Sequence, residues 1–591
     1  MGELLRTVKM LFFCLLALSL TAGSALSQHN RAGYRIHARQ IDATLSIDGH
    51  MDEAVWQQAE VAASFMQITP MDTCLARAQT EVRACYDATF LYFAVICHDT
   101  LPGKRPVESL RRDFAFGKND NFIAFIDTYN DQTNGFAFGV SAAGAQWDGL
   151  QANGGFVSLD WDCKWYSAVQ NYPDRWVLEM AIPFKSIRYN EGVGEWGINF
   201  SRLDLKQNEK SGWAPVPRQF QSANLAFTGT LAFDSPPPKT GAHFSLIPYV
   251  AGRVSKDFVQ PTAADWGGNA GADAKITLST SLNLDLTGNP DFSQVEVDRQ
   301  VTNLSRFELF FPERRQFFLE NSDLFAELGA EGLRPFFSRR IGLDSPVRAG
   351  ARLSGKLGEN WRIGLMDMQT GSQDKTPAAN YAVAVLQRKL FSRSNLSAFL
   401  VNKEAMPQQG DTTFTGNAFN RVVGFDLNLA TPDNRWNGKA FAHRSFGPQQ
   451  DDRDYAVAGT VNYQTQQMAL TWSQSWVGAD YRAEVGFVQR KGYHRLSPAA
   501  AYKFFPASRR IANHGPTFSA DLYFNEQFAR TDREIEIGYA VQFLNLSAAS
   551  IELEEGYVKL LAPFDPTNTD GDSLAAGREF TWKELDRKSV V

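Results

Sequence analysis

From Lys275 to Phe292 the chain reads KITLSTSLNLDLTGNPDF. On extended backbone Ile276, Leu278, Leu282, Leu284 and Leu286 fall on one face. Lys275, Thr277, Ser279, Ser281, Asn283 and Asp285 fall on the other. The same alternation recurs almost to the C-terminus, in segments of roughly ten residues, the length of a strand crossing an outer membrane. In RVVGFDLNLA, Val423, Phe425, Leu427 and Leu429 oppose Asp426 and Asn428. In EIEIGYAVQF, Ile535, Ile537, Tyr539, Val541 and Phe543 oppose Glu534, Glu536 and Gln542. NYQTQQMALTWSQSW reads as two strands joined by a tight polar turn. Short turns alternate with longer polar loops such as NKEAMPQQGDTTFTGNAFN, the asymmetry of periplasmic turns and outer loops.

Before Asp234 the grammar differs. TEVRACYDATFLYFAVICHD is a hairpin about Asp87-Ala88-Thr89, and DNFIAFIDT, GFAFGVSAAG and RWVLEMAIPF continue a series of short strands with turns between. No amphipathic helix of any length interrupts them. This spacing predicts a β-sandwich. DSPPPKTG, Asp234 to Gly241, is a stiff proline-rich boundary. The expected fold class is all-β, an N-terminal β-sandwich over 35–232 followed by an antiparallel transmembrane β-barrel over 242–585. The linker is placed at 233–241.

Composition narrows this picture. Acidic residues (65) nearly balance basic ones (59), which leaves no basic footprint for nucleic acid. No helix-length apolar run follows the N-terminus, so helical membrane spans are excluded while strands are not. Residues 1–27 read as an export signal: Arg6 and Lys9, the apolar run MLFFCLLALSL, then Ala25-x-Ser27 before Gln28. Cys74, Cys85, Cys97 and Cys163 match no zinc spacing; in an oxidising compartment one or two disulfides are open, with no pairing readable.

Two stretches carry a family resemblance. LSIDGHMDEAVWQQA, with LYFAVICHD, DNFIAFIDTYNDQTNGFAFGVSAAGAQWDG and WYSAVQNYPDRWVLEMAIPFKSI in order, resembles carbohydrate-binding modules of family 9, the xylanase-associated type. GNPDFSQVEVDRQVTNLSRFELFFPERRQFFLENSDLF and FFSRRIG look like the signature of bacterial outer-membrane barrels of poorly defined function that carry such a module in front. Those barrels run on further, whereas this chain stops at DRKSVV. GATCGGAAGAGCGTCGTG, a common sequencing-adapter sequence, encodes those six residues, so 586–591 read as an artefact and the barrel as incomplete.

The resemblance implies binding of polysaccharide or oligosaccharide, by aromatic faces on pyranose rings with carboxylates and Arg on the hydroxyls. The candidates are Trp147, Trp161 and Trp165, with Arg111, Arg112, Asp120 and Asp148. Trp147, beside Gly144, is the one expected in a loop and exposed; Trp56, Trp165 and Trp176 fit core positions. Asp127 and Asp131, with Asn130, are candidate ligands of a structural calcium ion, without EF-hand spacing and against a solvated turn. No other cofactor is expected. FFPERRQFFLE and FFSRRIG place Glu313, Arg314, Arg315, Glu320, Arg339 and Arg340 in a plug or constriction within 289–342, or in a loop packed on the rim.

No catalytic pair stands out. There is no Gly-x-Ser-x-Gly, His-Glu-x-x-His or phosphate loop, and eight His are scattered singly. The expected role is capture, uptake or catabolism of polysaccharide at the envelope of a Gram-negative bacterium, with outer-membrane lipid as the second partner. The alternatives are a secreted hydrolase of O-glycosyl bonds with an appended module, and an assembly partner whose sandwich binds protein.

Overall fold

The computed structural model describes residues 33–590 except 239–243, 259–262, 291, 293–297, 299, 374–375, 408–415, 450–451 and 568–571. The expected export signal, residues 1–27, and the end of the proline-rich boundary lie outside the described residues. Among the described residues no helix is long and apolar enough to cross a membrane, which says nothing of a β-barrel.

The first part is a two-layer sandwich. One layer holds Asn121–Asp127, Gly135–Ser141, Gln146–Ala152, Glu195–Asp204 and Gly229–Phe233; the other holds Thr80–Tyr86, Phe90–His98, Tyr166–Asn171 and Arg175–Pro183. Arg35–Gln40 passes between them. Its first four residues pair in parallel with Thr230 to Phe233 and its last two with Cys85 and Tyr86. Phe93 from one layer meets Phe200 from the other with ring centres 5.7 Å apart, and Trp176 and Trp196 are fully buried between them. Burying each such side chain contributes roughly 1.5–3 kcal/mol. The expected hairpin turns at Asp87, whose carboxylate accepts from the amides of Thr89 (2.6 Å) and Phe90 (2.7 Å). All four described cysteines are free thiols.

The Ile-Asp-Gly turn and the Trp that follows it converge on one buried carboxylate. Glu179 accepts from the amides of Asp48 (3.2 Å) and Gly49 (2.9 Å) and from Trp56 Nε1 (3.1 Å). Gly49 sits at φ +86, where a side chain is strained. The boundary segment is equally anchored: Tyr86 and Tyr189 donate to the carbonyls of Ser235 (2.7 Å) and Pro238 (2.6 Å).

After it comes a single antiparallel sheet of sixteen described strands in chain order, from Phe244–Ser255 to Glu579–Val590. Among the described residues those two edge strands pair with one neighbour each and not with one another. The last six residues, read as foreign to the barrel, continue its final strand as far as Val590.

The alternation divides this sheet as the pattern requires, with one inversion relative to a soluble protein. In Leu282–Gly288 the buried residues are Asn283, Asp285 and Thr287, while Leu286 is exposed. In Phe419–Ala430, Phe425 is 61% exposed and its neighbour Asp426 1%. Ile537, Tyr539, Leu553 and Trp472 likewise lie open. In these strands the open face is apolar, while the covered face mixes polar residues such as Asn283, Asp285 and Asp426 with apolar ones.

What covers that face is the segment 289–346, inserted between Leu282–Gly288 and Val347–Leu357. It includes two one-turn helices, Gln316–Leu319 and Asp323–Ala326. Asn321 donates to Ser354 Oγ (3.1 Å), Arg362 donates to Asp323 (2.6 Å), and the Gly329 amide donates to Asp426 (2.7 Å). Arg306 reaches Asp532 and the carbonyl of Lys559. One segment touching strands so far apart in the order requires the sheet to wrap around it. Phe318, Leu324, Phe325 and Phe336 form a dry core with Met366, Met368, Val383 and Val401 of the same face.

Candidate functional site at the junction of sandwich and sheet

The sandwich seats on the short-turn end of the sheet. Tyr129 and Asp131 follow the strand Asn121–Asp127 and meet Lys356 at the end of Val347–Leu357: its ammonium lies 3.5 Å from the Tyr129 ring centre and contacts the Asp131 carboxylate. Arg188 pairs with Glu320 at 3.1 Å. Arg218 stacks on Phe505 at 3.7 Å, and Gln464 donates to the Gln219 carbonyl at 2.8 Å. Gly154, at φ +79, admits Arg393: a β-carbon there would stand 2.4 Å from a guanidinium nitrogen.

Glu320 ties three bodies together. Besides Arg188 it accepts from Asn283 Nδ2 at 2.5 Å and contacts the Lys275 ammonium. The sandwich, the inserted segment and two sheet strands thus share one carboxylate.

Asp127 and Asp131 are both occupied by this loop. Asp127 accepts from the amides of Asp131 (3.1 Å) and Gln132 (2.7 Å), and Asp131 from the amide (2.9 Å) and hydroxyl (2.7 Å) of Thr133. Burial pushes the Asp127 carboxyl up, and Asp131 beside it adds to that. At Asp131 burial acts the same way but the Lys356 ammonium outweighs it and holds the group down. A lysine stands where the calcium expectation needs a cation. Among the described residues no three His, Cys, Asp or Glu side chains gather to hold a metal.

The expected sugar-binding aromatics are placed otherwise than the loop reading predicts. Trp147 lies inside the strand Gln146–Ala152, only 7% exposed, packed with Phe114, Ile123 and Phe125. The Asp113 amide donates to the Gln146 carbonyl (2.9 Å), which folds the preceding loop over the indole. Trp161 packs on Phe136 and Trp165 on Phe138, with ring centres 5.3 and 5.4 Å apart. None of the three offers an open face. Arg112 and Asp148 do meet, at 2.5 Å, and Arg112 also holds Asp162 and the Cys163 carbonyl. Arg111 points to solvent. Asp120 belongs to another cluster, facing Arg202, Asp204 and Asp99. Burial pushes its carboxyl up to about 7, and its Oδ1 is buried without a partner.

The remaining charged candidates of the inserted segment pair within it. Glu313 accepts from Arg315 (2.7 Å) and the Ser338 hydroxyl (2.6 Å). Asp298 receives Arg339 at 2.5 Å and Arg314 at 3.5 Å, and Arg340 pairs with Glu308 at 2.6 Å. Arg339 and Arg314 thus share a carboxylate, bringing the two Arg-bearing runs together. Sequence reasoning missed Arg188, Lys356 and Glu179, since nothing local marks a charge whose partner is far along the chain.

Two cavities flank this arrangement. One, of about 300 Å³, lies at the junction, between Phe136 and Phe156 of the sandwich and Phe310 and Phe336 of the inserted segment. The other, of about 650 Å³, opens at the loop end beside Tyr381, Lys403, Glu484 and Lys491.

Residues 47–224 match the family described as "Carbohydrate family 9 binding domain-like", and residues 240–364 match "Domain of unknown function (DUF5916)". The first domain is a family 9-like module, as its motifs imply. Among solved structures, a carbohydrate binding module family 9 from Caldicellulosiruptor kristjanssonii in complex with cellotriose is 13% identical. It spans 35% of this chain and 95% of its own, with a TM-score of 0.25. A putative carbohydrate-binding protein from Bacteroides uniformis is 16% identical over 34% of this chain and 99% of its own (TM-score 0.28). OccK11 (OpdR) of Pseudomonas aeruginosa is 7% identical over 82% and 100%, with a TM-score of 0.25. No curated protein matches the chain.

Proposed function

We propose that this chain is an outer-membrane protein of the Gram-negative envelope that binds carbohydrate and supports its capture or passage. In this reading the sheet spans the lipid and the sandwich faces the periplasm. The observation that carries it is the inversion at several strands of the sheet: Phe425 open and Asp426 covered, Leu286 open and Asp285 covered, with Ile537, Leu553 and Trp472 also open. A sheet that hides its polar face under its own chain and leaves its apolar face bare suits a hydrocarbon solvent. The docking of the sandwich on the short-turn end supports the periplasmic side, because short turns face the periplasm in such barrels. The family 9-like module supports carbohydrate as the ligand class. The inserted segment, filling the covered face, acts as the constriction.

The test is fractionation of the full-length gene product with heat-modifiable gel mobility, followed by a glycan array on the detergent-solubilised chain. Membrane residence and glycan binding are the expected results. A freely dissolved monomer without detergent overturns the membrane reading, and an array without any bound glycan overturns the carbohydrate reading.

A further inference from the structure

We infer that the carbohydrate site of this protein is the junction cavity between sandwich and inserted segment, and that it takes a neutral oligosaccharide. This deepens the carbohydrate reading and rests on it.

The observations are four. The three tryptophans of the sandwich that stacking would need are buried, so the module by itself offers no open indole among them. The junction cavity instead presents phenylalanine rings from two sides: Phe156 of the sandwich, 63% exposed, and Phe310 of the segment, 37% exposed. Its size, about 300 Å³, falls at the lower end of ligand pockets, roughly 300–1,000 Å³. Finally, it holds polar groups left over from folding. Gln151 is 2% exposed and donates from Nε2 to the Ala223 carbonyl at 2.6 Å, while its Oε1 is buried without a hydrogen-bond partner. A buried carbonyl oxygen left bare is an unsatisfied acceptor, which a ligand hydroxyl can fill.

Charge selects the ligand class. Glu313 is neutralised by Arg315, Asp323 by Arg362 and Lys356 by Asp131, so the ionised lining cancels within the protein. The Arg334 guanidinium stacks over Phe310 at 4.5 Å and makes no side-chain hydrogen bond or ion pair among the described residues. It is free to donate to hydroxyls, in a lining that also holds Glu327 and the Asp160 carboxylate, which accepts from the Ser158 hydroxyl at 3.1 Å. Aromatic walls with a free guanidinium, the accepting carboxylates of Asp160 and Glu327 and a bare amide oxygen match a neutral sugar, whose faces are apolar and whose edges both donate and accept. The site is complete only where both domains meet.

The experiment titrates the full chain in detergent micelles with cellotriose, xylotriose and trigalacturonate by calorimetry, beside Phe156→Ala, Arg334→Gln and Gln151→Leu. A loss of tenfold or more in affinity for a neutral trisaccharide, with heat-modifiable mobility retained, is expected. Phe156→Ala replaces a largely exposed side chain and carries the test if Gln151→Leu fails to fold. Unchanged affinity in the variants overturns the junction site while leaving carbohydrate binding in place. Tighter binding of trigalacturonate overturns the neutral class, and no binding of either neutral probe by the wild type overturns the inference.

Discussion

Arg188 of the sandwich and Glu320 of the inserted segment stand 3.1 Å apart, both largely buried, and the same carboxylate holds Asn283 of the sheet. Through this pair the position of the module is coupled to the body that fills the covered face of the sheet.

Removing one partner of a buried pair strands the other charge, at a cost of roughly 3–5 kcal/mol. Glu320→Ala is therefore expected to loosen the sandwich and the segment together. Limited proteolysis near 234–241 accelerates and conductance across planar bilayers rises. The exchanged pair, Arg188→Glu with Glu320→Arg, restores neither if Lys275 and Asn283 matter as much as Arg188, and both if the cross-domain pair dominates.

Glu179 satisfies three donors, the amides of Asp48 and Gly49 and the Trp56 indole. Glu179→Ala leaves them bare at roughly 1–3 kcal/mol for each buried group. Trp56→Phe, which removes one donor and little volume, costs less. Denaturant titration of the full chain, followed by tryptophan fluorescence, ranks the two; equal losses contradict the arrangement.

Asp120 makes the sandwich sensitive to pH. Its carboxyl, near 3.9 in an unfolded chain, is pushed up to about 7 by burial. A raised carboxyl pKa means the folded state holds the proton longer. The stability it confers is complete below about pH 4 and is lost as pH rises through about 7. Each tenfold change in proton affinity is worth about 1.4 kcal/mol. Asp120→Asn is expected to flatten the fall in melting temperature between about pH 4 and 7, the range of the shift; an unaltered slope assigns it to other groups.

The open face of the sheet predicts opposite outcomes for adjacent residues. Phe425→Arg places a charge on the apolar face, costing about 2–4 kcal/mol if that face meets the middle of a bilayer. Membrane assembly then falls, whereas in a soluble protein the same change raises solubility. Asp426→Asn acts instead through the covered face, where Asp426 holds His443 at 2.7 Å and Lys439 at 3.1 Å, and it changes heat stability more than insertion.

The two-part all-β plan was legible because alternation is a local property: each side chain in Leu282–Gly288 declares its face without knowledge of any other strand. Trp56 and Trp176 were readable as core for the same reason. Trp147 was not, because its cover comes from a loop more than thirty residues earlier, and a residue beside glycine in a polar stretch has no local sign of that. Asp131 read as a calcium ligand or a solvated turn, since its real partner, Lys356, lies beyond the domain boundary.

By itself, then, the order of apolar and polar residues determined the strand grammar and which face of each strand differs from the other. Only the tertiary structure decided that the polar face is the covered one, that residues 289–346 cover it, and that the module docks through Arg188, Asp131 and Gly154. Periodicity is written into neighbouring residues, while cover and ion pairing depend on side chains that meet only after the chain has closed over long distances.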